Sequence, residues 1–192
     1  MSEKENDKKI EIREKGLELF RKQGFDRVTV NAIAEAAGIS KNTFYYYYKS
    51  KEEIILSVFR PEEKLREEVF LELMRIQSPY QQLMYLYEEM IIRYEKLGKE
   101  IVKKAVMINY AQNFSEIDSK EKHKIPPLYK LTYEVYERAQ KQGEIRDDIE
   151  IVELMKTCLA LMLGELQIWV TAPKKMNLKE NFLKKIEYVI KK

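Results

Sequence analysis

Lys41, Asn42 and Thr43 follow directly on Ser40, a residue type that opens helices. Placed in the first turn of a helix, these three side chains have the chemistry to read base edges. A lysine can donate to guanine, an asparagine can pair with adenine, and a threonine methyl can touch a thymine methyl. Tyr45, Tyr46 and Tyr47 continue the run and are too polar together for pure core. They suit phosphates or thymine methyls, although a Tyr-rich stretch on its own also suits helix packing or protein contacts. Phe44 and Tyr48 stand four apart, so they share a helix face and are assigned to packing. Thr29 begins the preceding helix, where its hydroxyl and the first N–H groups can hold a phosphate. Lys51 stands at the start of the following one, where charge and helix dipole both favour an anion.

Such side chains work only if short helices hold them rigidly. The stretch TVNAIAEAAGISKNTFYYYYKSK supplies the pattern. Ile33, Ala34 and Ala37 mark one face of a helix that Gly38 interrupts, and Ser40 starts the next. That layout is a helix-turn-helix. The small alanines allow close packing. Upstream, Ile12, Leu17, Leu19 and Phe20 form a helical stripe ending near Gly24. Gly16 within it costs about 1 kcal/mol relative to alanine, which points to another helix crossing close by. Ser50-Lys51-Glu52-Glu53 reads as a capping box. It opens a helix with Ile54, Ile55, Val58 and Phe59 on its apolar side, and Pro61 should kink or break that helix.

Beyond Pro61 the chain remains helical in pattern. Stripes run over Leu65 to Ile76, Leu83 to Tyr94, Ile101 to Phe114, Leu131 to Ala139, about Ile149 to Thr171 and about Leu178 to Val189. SEIDSKEKHK at 115–124 is a polar loop. No hairpin-like alternation and no internal repeat interrupts the series. An all-α protein of about nine helices follows, divided into an N-terminal three-helix domain at 1–56 and a helical domain at 57–192.

Composition narrows the function. The chain has 192 residues, 45% of them apolar and 35% charged, with 6 glycines and 5 prolines. Its net charge is +3, and residues 1–60 hold 12 Lys/Arg against 10 Asp/Glu. The segment from Ser40 to Lys51, however, contains three lysines and no acid, a local basic stripe suited to a few phosphates. Cys158 is the single cysteine, so no internal disulfide is available, and its apolar surroundings suit a small core residue. His123 is the only histidine and lies in a charged loop, which argues against a metal site. No triad surrounds Ser115, Asp118 and His123, and no Gly-rich phosphate loop occurs. No catalytic, metal or cofactor residues are therefore expected, and no enzymatic role. The N-terminus lacks the apolar run of a secretion signal, and the longest apolar stretch is interrupted by Glu165 and Gln167. A cytoplasmic protein without a membrane partner is the expectation.

Ile12, Leu17, Leu19-Phe20, Gly24-Phe25, Thr29-Val30, Ile33-Ala34, Ala36 to Ser40, Thr43 to Tyr45, Tyr47-Tyr48 and Ser50 to Glu52 together resemble the N-terminal domain of the tetracycline-repressor-like (TetR) family of bacterial regulators. The chain departs from that pattern at Lys15-Gly16, where paired alanines are usual, at Asn42, often glycine, and at Tyr48, often phenylalanine. Asn42 would make a different base contact and hence read a different operator. The resemblance implies that Thr29, Val30, Ser40, Lys41, Asn42, Thr43, Tyr45, Tyr46, Tyr47 and Lys51 form the surface that meets a palindromic double-stranded operator. It also implies a homodimer built on the last two long helices. There Leu161, Gly164 and Ile168, with Phe182 and Ile186, are the expected contacts.

A second task for the C-terminal part is ligand sensing. Tyr87, Met90, Tyr94, Met107, Tyr110, Phe114 and Tyr133, with Gln167 as a polar anchor, would suit the walls of a site for a small, largely apolar molecule. Residues at such spacing also serve as ordinary core. The function expected is a ligand-responsive transcriptional repressor. An activator of the same family, or a DNA-organising protein without ligand, is the alternative.

Overall fold

Gly16 lies where the first and fourth helices cross. A methyl group placed on it would come within 3.0 Å of the Ile54 Cδ1 atom and 3.2 Å of its Cγ2 atom. The glycine is thus a packing device, as its cost in a helix interior suggested. The structure, a computed structural model, describes residues 3–59, 67–111, 127–172 and 176–191. Pro61, Leu65, Phe114 and the 115–124 loop lie outside these residues. So does His123, and so does the side chain of Tyr110.

The described residues form ten α-helices: α1 (Glu3–Gln23), α2 (Val30–Ala36), α3 (Lys41–Tyr47), α4 (Lys51–Leu56), α5 (Glu67–Arg75), α6 (Pro79–Leu97), α7 (Lys99–Ala111), α8 (Pro127–Lys141), α9 (Ile151–Thr171) and α10 (Leu178–Ile190). A single 3-10 turn at Ser57–Phe59 extends α4. No strand occurs among the described residues.

Contacts divide the chain into two units. The first is Met1–Arg60 with Leu97–Gln112. Its interior joins Ile12 and Phe20 of α1, Ile33 and Ala34 of α2, Phe44 of α3 and Ile54 and Ile55 of α4, all essentially sealed from solvent. Ile101 and Ala105 of α7 complete the same cluster. A helix some forty residues further along the chain is therefore part of the module that contains the helix-turn-helix.

The second unit is Pro61–Lys96 with Asn113–Lys192. Leu83 and Ile91 of α6, Val135 and Tyr136 of α8, Leu154, Cys158 and Leu166 of α9, and Phe182 and Ile186 of α10 are among its fully buried side chains. Polar clasps close it. Gln82 donates from Nε2 to the carbonyls of Leu73 (3.1 Å) and Ile76 (2.8 Å), and accepts from Arg138 (2.7 Å). Glu144 accepts from the Ser78 hydroxyl (2.8 Å) and the Tyr80 amide (2.7 Å). These bonds satisfy the buried Gln82 and the opening of α6, where Pro79 fits because the first helical N–H groups have no intrahelical acceptor.

Candidate nucleic-acid interface

The turn between α2 and α3 is built by Gly38. Its φ of 63° is a left-handed conformation that a side chain disfavours. The Gly38 amide donates to the Glu35 carbonyl (3.0 Å) and the Ile39 amide to the Ala34 carbonyl (2.9 Å). This paired pattern ends a helix at glycine and satisfies its last carbonyls. Ile39 then packs on the core and turns the chain into α3.

Both short helices are capped by hydroxyls. Thr29 accepts from the Ala32 amide (3.2 Å) and Ser40 from the Thr43 amide (3.0 Å). The Ser40 and Thr43 hydroxyls lie 2.8 Å apart and share a further hydrogen bond. Such caps are each worth about 1 kcal/mol, enough to matter in helices of two turns. Phe44 and Tyr48 face inward, and the Tyr48 hydroxyl donates to the Lys9 carbonyl (3.0 Å). The packing roles inferred from their spacing match this arrangement.

Anchored in this way, α3 presents an outer face. Lys41 and Asn42 are exposed and make no hydrogen bond or ion pair to other described residues. Tyr45 and Tyr46 follow them by one turn at 48% and 68% exposure. Lys41 with Tyr45, and Asn42 with Tyr46, form two i, i+4 pairs on this face. Tyr47 is half-buried and meets the Tyr46 ring edge-on, with centroids 4.9 Å apart. Val30 packs against the hydrophobic cluster.

Lys51 is placed differently from the other cations. Its ammonium group donates to the carbonyls of Phe25 (2.9 Å) and Val28 (2.9 Å), with a longer contact to Asp26 (3.4 Å). It also stands 4.5 Å from the centroid of the Phe25 ring. Lys104 of α7 approaches the same ring at 5.0 Å and donates to Asp26 (2.8 Å), which holds that carboxyl below its ordinary value. Lys51, expected at a phosphate, thus ties α4 to the α1–α2 turn. The capping box is also altered. Ser50 makes no side-chain cap, and Glu53 accepts from the Lys49 amide (2.8 Å), one residue before the cap.

In the second unit, the Tyr87 and Tyr136 hydroxyls lie 2.6 Å apart, and Tyr136 donates to the Cys158 sulfur (3.2 Å). Burial pushes both phenols well above their usual value, and the thiol upward as well. The Tyr87 ring meets Phe182 edge-on at 5.7 Å. Tyr94 is buried too, its phenol pushed up to about 12 by desolvation. Of the residues expected to line a ligand site, Tyr87, Met90, Tyr94, Tyr133 and Gln167 belong to this unit. Met107 lies in the first unit at 59% exposure, and Tyr133 is 38% exposed. Tyr136 and Cys158 join Tyr87 instead. Phe182 and Ile186, expected at a dimer contact, are wholly interior to the protomer. Leu161 and Gly164 are half-buried, and Ile168 is 49% exposed.

The comparisons with known proteins agree with this geometry. Residues 12–58 match the family model described as bacterial regulatory proteins, tetR family. Over this N-terminal stretch the chain is similar to the tetR family. The uncharacterized HTH-type transcriptional regulator YerO of Bacillus subtilis is 46% identical over 52 residues, 27% of this chain and 18% of that protein. The matched stretch therefore spans less than a fifth of that relative. The HTH-type transcriptional regulator UidR of Escherichia coli is 24% identical over 153 residues, 78% of this chain and 74% of UidR. Among solved structures, FadR of Thermus thermophilus, a TetR-family repressor in complex with lauroyl-CoA, has a TM-score of 0.69 at 25% identity, covering 94% of this chain and 92% of FadR. No helix among the described residues is long and apolar enough to cross a membrane.

Proposed function

We propose that the chain is a ligand-responsive transcriptional repressor that binds a palindromic operator as a homodimer. The observation that carries this reading is the outer face of α3. Lys41 and Asn42 stand exposed and uncommitted at the first turn of a helix whose other face is locked by Phe44 and Tyr48. Recognition helices of helix-turn-helix proteins present base-reading residues from their N-terminal turn. Thr29 and Ser40 cap the two helices by accepting from the Ala32 and Thr43 amides, which fixes where each helix starts on this surface.

Support for self-association comes from α9. Leu161, Gly164 and Ile168 follow a 3–4 spacing on one side of the helix, and a methyl group on Gly164 would meet nothing within 4 Å. A second copy can approach there closely, while Phe182 and Ile186 support the face from inside. Support for a ligand comes from the Tyr87–Tyr136–Cys158 cluster in a largely apolar interior, and from lauroyl-CoA in the related FadR. The chain passes from α6 into α7 at Gly98, so a shift of α6 on ligand binding has a covalent route into the DNA-binding module. A coupling of about 1–3 kcal/mol would change operator affinity roughly 5- to 150-fold.

The reading is tested with DNA from upstream of the protein's own gene. Lys41→Ala and Asn42→Ala should each change which base substitutions in the operator are tolerated, by about 1–3 kcal/mol at the affected position. Uniform loss across all sequences would remove the base-reading role. Sedimentation showing a monomer at micromolar concentration would remove the dimer.

A further inference from the structure

The family match begins at Ile12, yet α1 begins at Glu3, and its first turns contact both helices of the reading motif. Lys8 donates to the Ala37 carbonyl (3.1 Å) at the end of α2. Lys9 supplies its carbonyl to the Tyr48 hydroxyl and stands 5.6 Å from the centre of that ring. Glu5 accepts a hydrogen bond from the Tyr46 hydroxyl at 2.9 Å, across 41 residues of sequence. Tyr46 shares its helix face with Asn42, one turn away, and is the most exposed tyrosine of the run.

We propose that Glu5 is a positioning residue that restrains DNA affinity by holding the Tyr46 phenol on the surface that meets the duplex. The proposal rests on the DNA-binding reading above. A phenol has one O–H to donate. While that hydrogen is committed to Glu5, a phosphate oxygen cannot receive it. The carboxylate also brings a negative charge to the edge of a surface that must approach a polyanion. The two effects act in the same direction. The carboxylate raises the phenol above its usual value, chiefly through this hydrogen bond. Tyr46 therefore has two acceptors competing for one hydrogen, and the loser is repelled by the winner's charge. A restraint of this kind lowers binding to all sequences alike, which favours release once a ligand acts.

The test is a double-mutant cycle on the full chain with Glu5→Gln and Tyr46→Phe, each checked for unchanged melting. Binding is measured to the protein's own promoter DNA and to an unrelated duplex over a salt series. Removing one negative charge beside the backbone acts at most as one further phosphate neutralised, so the salt slope should steepen by up to about 0.9 and affinity at 0.1 M salt should rise up to about eightfold. The gain should be similar on both duplexes and smaller in the Tyr46→Phe background, where only the charge effect remains. Unchanged or weaker binding by Glu5→Gln would overturn the proposal, and so would an equal gain with and without the Tyr46 hydroxyl. Either result leaves the DNA-binding reading intact. A parent protein that binds neither duplex would remove both.

Discussion

Lys51→Met separates two roles that one lysine can play. The methionine keeps the length and apolar stem but loses the charge and the donors. In the structure the ammonium group makes two hydrogen bonds of 2.9 Å to carbonyls and a third contact of 3.4 Å. Hydrogen bonds involving a charged group contribute about 1.5–3 kcal/mol each, and the half-buried position, where water can replace the lysine, takes the lower end or less. The ring of Phe25 adds roughly 0.5–1 kcal/mol. A loss of about 2–3 kcal/mol follows, which in a protein of this length lowers the melting temperature by roughly 4–12 °C. Thermal unfolding by circular dichroism measures it. DNA binding is then compared well below both midpoints. If Lys51 braces the module, the salt slope of the folded mutant stays that of the parent. An unchanged melting temperature with a salt slope lowered by about one unit would refute the reasoning and return Lys51 to a phosphate.

Three further outcomes follow from the packing. Gly16→Ala should destabilise by about 1–2 kcal/mol in spite of alanine's better helix propensity, because Ile54 must give way. Combining it with Ile54→Val should recover part of the loss, and a stabilised single mutant would contradict the crossing. Glu165, 3% exposed, pairs through Oε1 with Lys185, while its Oε2 is buried without a hydrogen-bond partner among the described residues. Glu165→Met should therefore hold or raise stability, by up to about 1 kcal/mol, since Lys185 keeps much of its contact with water. A clear fall in denaturation midpoint would show that the carboxylate is needed. Asp26 has a folded value below its ordinary 3.8, chiefly through Lys104. A lowered acid stabilises above its unfolded value, and that contribution is lost as pH falls through the folded one. The melting difference between Asp26→Asn and the parent should thus be small and constant near neutrality, shrink below the ordinary value and vanish only once pH has fallen through the lowered folded one. A difference that persists below the folded value would exclude the ion pair as its source.

The reading motif was legible because its signals are local. Ser40 and Thr29 cap the helices they begin, Gly38 takes the left-handed turn, and the four-residue spacing of Phe44 and Tyr48 puts both inside. Each depends on residues within one or two turns, so the linear pattern contains the information. Gly16 was legible for a related reason, since a costly residue in a helix interior demands a reason in space.

Lys51 was not legible, because a lysine at a helix start is equally suited to an anion and to nearby carbonyls. The position of the α1–α2 turn brings the Phe25 and Val28 carbonyls within its reach. The same holds for Glu5. In sequence it belongs to a charged N-terminal run, and nothing in that run indicates a partner 41 residues away. The helical stripes of the second unit identified its elements, but apolar residues at helical spacing do not say which neighbour they face. Phe182 and Ile186 therefore read as interface and prove to be interior, while Tyr136 and Cys158 form the polar cluster of that interior. Long-range pairing decides function at the points where residue type is ambiguous. The charges flanking α3 make this concrete. Lys51 is drawn inward to carbonyls and Glu5 is directed outward to the reading face, so the electrostatics of that face differ from what counting the three lysines from Ser40 to Lys51 implies.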